Sequence, residues 1–280
     1  MGFYLLFLVV SLKKIEMNNR SFFLKTIAPV GSLSLIDVDG FATESKSLSK
    51  EKVSVWSKPK IIFFDVNETL LDLEPLKKSV VAKLGGNKEL GTLWFTTMLQ
   101  YSLVVTVSSQ YFDFGRIGAA TLMMVAKNNE IELSEDEAKE AVEPMLSLKP
   151  HSEVKEALAL LKKAGYLLVS FSNSSNKAVK VQLDHAGITS FFDQILSVED
   201  YGKYKPHLEV YHWAARKMNV ENSDCMLVAA HGWDVGGAKW AGWQTVFITR
   251  PGQQLFPLAI TPDIIENDLL KFAVKILKSS

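Results

Sequence analysis

Short continuous runs of apolar residues alternate with helical patterns along most of the chain after residue 60. Four of these runs predict strands that are buried on both faces, and they span residues 61–66, 166–171, 226–230 and 244–249. An apolar stripe of helical period begins after Ser152 and ends at Gly165, which predicts a helix with Ser152 as its N-cap. Strands that alternate with helices are typical of a doubly wound parallel sheet, so the pattern predicts an α/β fold.

The pattern changes between residues 73 and 150, where the apolar positions recur at helical spacing and no buried strand is predicted. Ser134 and Glu137 form a capping-box pattern at the start of one of these helices. Another helix carries an apolar stripe that consists of Trp94, Met98, Tyr101 and Val105. The segment is predicted to form a helical lid over the sheet, with this stripe in the core of the lid.

These patterns divide the chain into a leader, a core and a lid. Residues 1–59 are predicted to be a leader and a linker, residues 60–73 and 150–280 a Rossmann-like core domain, and residues 74–149 a helical cap domain. The apolar run 3–11 is shorter than the roughly 20 residues that cross a bilayer, so no stable membrane span is expected.

The leader contains a segment that resembles a bacterial twin-arginine export signal. It starts at Met17, which is an alternative start to Met1, and it has Asn19 where the first arginine of such a signal would stand. A weakly apolar stretch follows and ends in small residues near Ala42, where cleavage would fit. Two locations stay open: the bacterial periplasm if the leader works, and the cytoplasm if it does not.

The charge balance narrows the classes of partner. The 280-residue chain has 31 Lys and Arg and 31 Asp and Glu, so its formal net charge is zero. A nucleic-acid or anionic-membrane binder would carry a basic excess, so neither kind of partner is expected. The single cysteine, Cys225, excludes an intramolecular disulfide and a cysteine-based structural zinc site.

Polar segments follow the predicted strands at the edge of the sheet where function collects in such folds. A carboxylate directly after a buried strand is unusual, and four polar segments occur here in a fixed order. They are Asp65–Asp72, Ser172–Ser175, Lys203–Pro206 and His231–Ala238.

This set of segments resembles the haloacid dehalogenase superfamily, over residues 60–278. Within it, the segments Trp233–Ala238 and Leu99–Ser102 are similar to the type II, or L-2-haloacid, dehalogenases. The resemblance implies a Rossmann-like core, a helical lid inserted after the first strand, no metal and no cofactor.

The resemblance assigns Asp65 as a nucleophile whose carboxylate attacks carbon and forms an ester. Phosphatases of the superfamily have a second Asp two positions later as general acid, whereas this chain has Asn67, which cannot donate an acidic proton. A halide leaving group needs no protonation, so Asn67 fits cleavage of a carbon–halogen bond. Lys205 is expected beside Asp65, where its charge compensates that of the carboxylate.

The fourth polar segment departs from the type II pattern. Residues 229–231 are Ala-Ala-His where typical relatives have Ser-Ser-Asn. His231 can act as a general base near neutral pH, and Glu68 could hold its ring. We therefore predict a Glu68–His231 dyad that activates the water that cleaves the ester, with Asp234 as an orienting carboxylate.

The lid also departs from the pattern, because Phe95 follows Trp94 where typical relatives have a halide-binding arginine. Arg116 lies elsewhere in the lid. The residues predicted to contact the substrate lie in the polar segments, except for Phe95 of the lid and Tyr211, which matches a tyrosine of the family pocket. They are Asn67, Thr69, Phe95, Ser172, Asn173, Tyr211 and Trp233.

Three functions remain open. The first is a hydrolytic dehalogenase that converts small (S)-2-haloacids to 2-hydroxy acids. The second is a phosphatase-like hydrolase of the same superfamily, and the third is a non-catalytic domain that binds a small acid or a partner protein. The partner expected for the first function is a small halogenated carboxylic acid, and the resemblance allows a homodimer.

Overall fold

The computed structural model describes residues 57–279. The predicted export signal and cleavage site lie outside the described residues, as does most of the predicted linker. Six parallel strands form one sheet in the order β3-β2-β1-β4-β5-β6. They are β1 (Ile61–Phe64), β2 (Leu167–Ser172), β3 (Gln194–Ser197), β4 (Cys225–Ala229), β5 (Gln244–Ile248) and β6 (Ile264–Glu266).

The centre of the sheet is built from the most apolar runs of the sequence. All four residues of β1 are buried, and the strand pairs with β2 on one side and β4 on the other. The four strands predicted from the sequence are confirmed. The other two, β3 and β6, are short edge strands in which exposed and half-buried positions interrupt the apolar run, so the pattern did not reveal them.

Helices cover the sheet and fill the segment between β1 and β2. They are α1 (Glu74–Lys83), α2 (Lys88–Val107), α3 (Phe114–Asn128), α4 (Glu135–Val142), α5 (Val154–Lys163), α6 (Asn176–Ala186), α7 (Leu208–Lys217), α8 (Gly232–Trp240) and α9 (Leu269–Lys278).

The predicted helix after Ser152 is α5, but its predicted N-cap is wrong. The N-cap of α5 is Glu153, in helical backbone conformation, and its side chain forms no capping hydrogen bond. The carboxylate of Glu153 instead lies 2.7 Å from a guanidinium nitrogen of Arg250. Gly165, two residues after the helix, has φ +83, a conformation that favours glycine and allows the chain to turn into β2.

The lid consists of α1 to α4, inserted between β1 and β2, so an α/β fold with an inserted helical lid is confirmed. The predicted capping box is present, with Ser134 and Glu137 each bonded to the backbone of the other. Trp94 and Met98 are buried, and the indole of Trp94 donates a 2.8 Å hydrogen bond to the carbonyl of Gly118 on α3. The exact bounds of the core and cap domains stay a prediction.

Helix α2 is also unusually long and apolar. Among residues 57–279 it is the one helix long and apolar enough to cross a membrane by length and composition alone. Helices that pack inside a protein meet the same criterion, and α2 packs against α3 through Trp94 and Met98.

Candidate active site

The polar segments meet at the carboxyl ends of the three central strands. Asp65 follows β1, Ser172 ends β2, and Ala230 and His231 follow β4. Because β1 lies between β2 and β4 in a parallel sheet, these residues lie side by side at one edge. Lys205 reaches the same place from the loop that precedes α7.

Lys205 joins two carboxylates that approach from different elements. Its Nζ donates hydrogen bonds of 3.1 Å to Asp65 Oδ1, 2.6 Å to Asp234 Oδ2 and 2.9 Å to the carbonyl of Phe171. All three charged groups are buried. Burial alone would lower the pKa of Lys205, but Asp234 and Asp65 raise it, so the side chain is an ammonium ion.

Asp234 is held on its other oxygen by Tyr211. The hydroxyl of Tyr211 donates a 2.6 Å hydrogen bond to Asp234 Oδ1, and both side chains are fully buried. Tyr211 can lie this close to α8 because residue 237 is glycine. A Cβ at Gly237 would lie 2.7 Å from the Tyr211 hydroxyl and 2.6 Å from Pro206 Cβ. Tyr211 therefore contacts Asp234, the carboxylate that also binds Lys205.

Thr69 holds the second oxygen of Asp65. Its hydroxyl donates a 2.7 Å hydrogen bond to Asp65 Oδ2 and accepts one of 2.9 Å from the backbone N–H of Ala230. The carbonyl of Thr69 accepts hydrogen bonds of 2.8 and 3.3 Å from the guanidinium of Arg250. The turn after β1 is thus fixed to β4 and to the loop after β5.

His231 lies between two carboxylates. Its Nδ1 is 3.1 Å from Asp65 Oδ2, and its Nε2 is 3.1 Å from Glu68 Oε2. The indole of Trp233 stacks on the imidazole, with 5.0 Å between ring centroids and 19° between ring planes. The predicted contact between Glu68 and His231 is therefore present.

The protonation state of His231 differs from the expectation of a base near neutral pH. Burial alone would lower the pKa of His231, but the hydrogen bonds to Asp65 and Glu68 raise it to about 9. Burial likewise would raise the pKa of Asp65, but Lys205 and His231 hold it well below its usual range. In the resting site, His231 is an imidazolium that donates to both carboxylates.

Glu68 is held in an unusual backbone conformation. Its φ is +63, in the left-handed region that a glutamate rarely adopts. Its Oε1 accepts a 2.7 Å hydrogen bond from Lys77 of α1, and its Oε2 accepts one of 2.7 Å from Gln253. Burial alone would raise the pKa of Glu68, but His231 and Lys77 lower it, so Glu68 is a carboxylate.

Asn67 is engaged by groups other than Asp65. Its amide nitrogen donates a 3.1 Å hydrogen bond to the Ser174 hydroxyl, and its oxygen accepts one of 2.9 Å from Gln182. Gln182 also donates to the carbonyl of Met145, which follows α4. Asn67 thus connects the loop after β1 to α6 and, through Gln182, to the lid.

The predicted residues of the second strand lie beside this network. Ser172 accepts a 3.0 Å hydrogen bond from the backbone N–H of Ser174. The oxygen of Asn173 accepts a 3.0 Å hydrogen bond from the backbone N–H of Lys205, and its amide nitrogen donates to the Lys205 carbonyl at 3.4 Å. Asn173 therefore fixes the backbone of the lysine.

Two lid residues lie outside this hydrogen-bonded cluster. Phe95 is half-buried on α2, and its ring packs edge-on against Trp94 with centroids 6.2 Å apart. Arg116 is exposed and lies over the ring of Phe112, within the lid. The lid does contact the lysine loop, because the Thr106 hydroxyl accepts a 3.0 Å hydrogen bond from the backbone N–H of Tyr204.

Sequence reasoning missed four side chains that hold the site in place. Lys77 and Gln253 bind Glu68, Gln182 binds Asn67, and Arg250 binds the Thr69 carbonyl. Arg250 and Gln253 follow β5, at the edge of the sheet where function collects, so the strand pattern was a signal for them. Nothing in the sequence pointed to Lys77 or Gln182.

Two cavities among the described residues have linings that do not include this cluster. One of about 550 Å³ lies between lid and core, and its lining includes Phe114, Met145, Ser174 and Ser175. Another of about 600 Å³ lies among α2, α3 and α4. Asp65, Lys205 and His231 line neither, and Asp65 is only 4% exposed. The Asp65 carboxylate is therefore enclosed in this conformation.

Comparison with known proteins gives consistent results. Residues 59–242 match the family model for haloacid dehalogenase-like hydrolases. An (S)-2-haloacid dehalogenase from Pseudomonas sp. (strain YL) is 30% identical over 207 residues, which are 72% of this chain and 88% of that protein. A haloacetate dehalogenase from Moraxella sp. (strain B) is 29% identical over 203 residues, 72% of this chain and 91% of the other.

The fold is shared with solved structures. One is an L-2-haloacid dehalogenase from Xanthobacter autotrophicus with chloropropionic acid covalently bound. It superposes with a TM-score of 0.73 at 21% identity, over 79% of this chain and 100% of the other.

Proposed function

The chain belongs to the haloacid dehalogenase-like hydrolase family, and from that membership we propose that it hydrolyses the carbon–halogen bond of small (S)-2-haloacids to give 2-hydroxy acids. The relatives named above as haloacid dehalogenases support this substrate class. The observation that carries the proposal is a buried Asp65 carboxylate bound to Lys205, with an amide, Asn67, at the position of the phosphatase acid.

The first half-reaction in this proposal is a displacement at carbon. Asp65 Oδ2 accepts hydrogen bonds from Thr69 and His231, whereas Oδ1 accepts one from Lys205. A carboxylate oxygen has two lone pairs, so Oδ1 retains one for attack. Oδ1 bonds to C2 of the substrate, the carbon–halogen bond breaks, and the halide leaves with the electron pair. Asp65 becomes a neutral ester.

The second half-reaction is hydrolysis of that ester. Water adds to the Asp65 carboxyl carbon, and when the tetrahedral intermediate collapses the bond between that carbon and Oδ1 breaks, so Oδ1 leaves as the hydroxyl oxygen of the product. His231 takes one proton of the water, Glu68 orients the ring through Nε2, and the 2-hydroxy acid leaves with the other proton. Thr69 donates to the carbonyl oxygen, on which negative charge develops.

The proposed reaction needs no metal ion, because Lys205 supplies the positive charge beside Asp65. Its ammonium lies between Asp65 and Asp234, where it occupies the space that a cation bridging the two carboxylates would require. Tyr211 and Asp234 position Lys205 and do not contact the reacting atoms.

Substrate contacts are assigned on proximity to Asp65. We propose that Ser172 and Asn173 supply donors to the substrate carboxylate, and that Thr69, Asn67 and Trp233 border it. Phe95 would give an apolar wall to the halide once the substrate is bound. Because Asp65 and Lys205 are buried, we expect the lid to move for the substrate to enter.

A halide-release assay tests this function. The protein is incubated with (S)-2-chloropropionate and with a phosphate monoester, each with magnesium and with EDTA, and Asp65→Asn is the control. We expect halide release from the wild type that is insensitive to EDTA and absent from Asp65→Asn. Phosphate release that requires magnesium would favour the phosphatase, and neither release would favour a binding domain.

A homodimer is also a proposal, based on the resemblance of the sequence to dimeric relatives. Light scattering of the full chain over a range of concentrations tests it, because a dimer has twice the mass of 31.2 kDa calculated for one chain.

A further inference from the structure

Hydrogen-bond geometry fixes the charge of His231 before any reaction. A neutral imidazole has one N–H, so it donates to one acceptor only. Both nitrogens of His231 lie 3.1 Å from carboxylate oxygens, of Asp65 and Glu68. Two N–H groups are therefore required, provided that both carboxylates are ionised.

The surrounding charges keep both carboxylates ionised. Lys205 Nζ lies 3.1 Å from Asp65 Oδ1, and Lys77 Nζ lies 2.7 Å from Glu68 Oε1. Asp234 lies beyond Lys205, the neutral amide of Gln253 lies beside the Glu68 carboxylate, and His151 Nε2 lies 2.9 Å from the Glu68 carbonyl. The raised pKa of His231, about 9, agrees with this assignment.

Ester formation removes one of the two anions that hold this imidazolium. When Asp65 becomes an ester, its Oδ2 is a neutral carbonyl oxygen, a much weaker partner for the Nδ1–H of His231. Glu68 still accepts from Nε2, but its charge is shared with Lys77. A cation that is only 4% exposed and has lost half of its counter-charge is strongly disfavoured.

We propose, as a step that rests on the function proposed above, that alkylation of Asp65 deprotonates His231 at Nδ1 and so creates the base used in the second half-reaction. In the first half-reaction, the haloacid (R–X) reacts with the Asp65 carboxylate and the His231 imidazolium to give the ester, the neutral imidazole, the halide and one proton. In the second half-reaction, water reacts with the ester and the neutral imidazole to give the carboxylate, the imidazolium and the 2-hydroxy acid (R–OH). The proton of the overall reaction leaves with the halide, and His231 is inert as a base until the ester is present.

The same geometry explains why the base faces the ester. The Nε2–H that remains is the one bonded to Glu68, so the lone pair of the neutral ring is on Nδ1, 3.1 Å from where Oδ2 of Asp65 lies in the resting site. A water that enters between Nδ1 and the ester carboxyl carbon would be within reach of both.

The charge switch can be tested without turnover, because Asp65→Asn replaces the carboxylate with a neutral group of the same shape. ¹⁵N NMR of histidine-labelled full-length protein follows the ring nitrogens against pH, and His231→Asn identifies the signals of His231. Asp72→Asn, which removes an exposed carboxylate from the same loop, is the matched control.

We expect His231 of the wild type and of Asp72→Asn to be doubly protonated at pH 7 and to lose its proton near pH 9. In Asp65→Asn we expect the proton dissociation constant to rise at least tenfold, with Nε2 still protonated in the neutral ring. Asp65→Ser is a second neutral variant if Asp65→Asn does not fold.

A neutral His231 at pH 7 in the wild type, or the same titration in wild type and in the neutral variants, would overturn the inference. The halide-release assay is a separate measurement: a protein that titrates as expected but releases no halide would end the dehalogenase proposal and leave the charge switch in place.

Discussion

The Tyr211 hydroxyl donates a 2.6 Å hydrogen bond to Asp234 Oδ1, inside a part of the protein from which water is excluded. The other oxygen of Asp234 binds Lys205, so Tyr211 acts on the lysine through the aspartate. Burial and the negative charge of Asp234 raise the pKa of Tyr211 well above its ordinary value, so the hydroxyl stays a donor. The chain of contacts from α7 to Asp65 is therefore continuous.

Tyr211→Phe removes this donor and leaves a buried carboxylate oxygen with one partner fewer. An unsatisfied buried acceptor costs roughly 1–3 kcal/mol of the free energy of unfolding. We expect urea denaturation to show a loss of that size, together with slower halide release. Tyr201→Phe, at a half-buried tyrosine that packs on Trp213, is the control. Equal stability of Tyr211→Phe and the wild type would mean that the hydrogen bond contributes nothing.

Neighbouring glycines of α8 give a matched pair of variants. A Cβ at Gly237 would lie 2.6 Å from Pro206 Cβ and 2.7 Å from the Tyr211 hydroxyl, whereas one at Gly236 would lie 3.2 Å from Ala259 Cβ. Overpacking typically costs about 1–3 kcal/mol. We expect Gly237→Ala to lower both stability and activity, and Gly236→Ala to lower stability less and keep most activity. The opposite order would contradict the assigned packing.

The charge of His231 should also affect stability against pH. Its pKa is near 6.5 in the unfolded chain and about 9 in the folded protein. The stabilisation is therefore complete below pH 6.5, declines as pH rises and is lost above pH 9, a change of roughly 3 kcal/mol. Urea denaturation at pH 6.5, 7.5 and 9 should show this decline in the wild type. In His231→Asn the free energy of unfolding should depend less on pH. The same pH dependence in His231→Asn and the wild type would contradict the assigned charge of His231.

His231→Asn should separate the two half-reactions. General-base help is worth about 10²–10⁴ in rate, so we expect turnover to slow by that range while Asp65 is still alkylated. The ester should appear in the mass spectrum of the intact protein after exposure to substrate. Glu68→Gln should show a milder effect, because the base remains while the orientation of its ring and the stabilisation of its imidazolium form are lost. Turnover of His231→Asn at the wild-type rate would contradict the assignment of His231 as the base.

The sequence predicted the centre of the fold because the central strands are buried on both faces. Such strands are continuous apolar runs, which β1 and β4 display at every position. The edge strands β3 and β6 have three or four residues and mixed burial, too little pattern to separate from a loop. The Ser152 cap failed because α5 begins at Val154, so the N-cap position falls on Glu153, whose carboxylate pairs with Arg250 instead of capping the helix.

The site residues likewise fall into those that the strand pattern predicts and those that only tertiary packing brings together. Asp65, Thr69 and His231 lie in the segments that follow the neighbouring strands β1 and β4, so the sheet order brings them together. The partners of Glu68 come from α1 and from the loop after β5, and only tertiary packing brings Lys77 and Gln253 to one carboxylate. The imidazolium state of His231 depends on distances to both carboxylates, which no residue pattern contains.

Isotope labelling in a single turnover tests the covalent route through Asp65 most directly. Excess protein is mixed with an (S)-2-haloacid in H₂¹⁸O, and the product and the peptide that contains Asp65 are analysed by mass spectrometry. We expect the label in the Asp65 carboxylate and an unlabelled hydroxyl in the 2-hydroxy acid, because water attacks the ester at the carboxyl carbon. Label that enters the hydroxy acid in the first turnover, with none in Asp65, would contradict the covalent route.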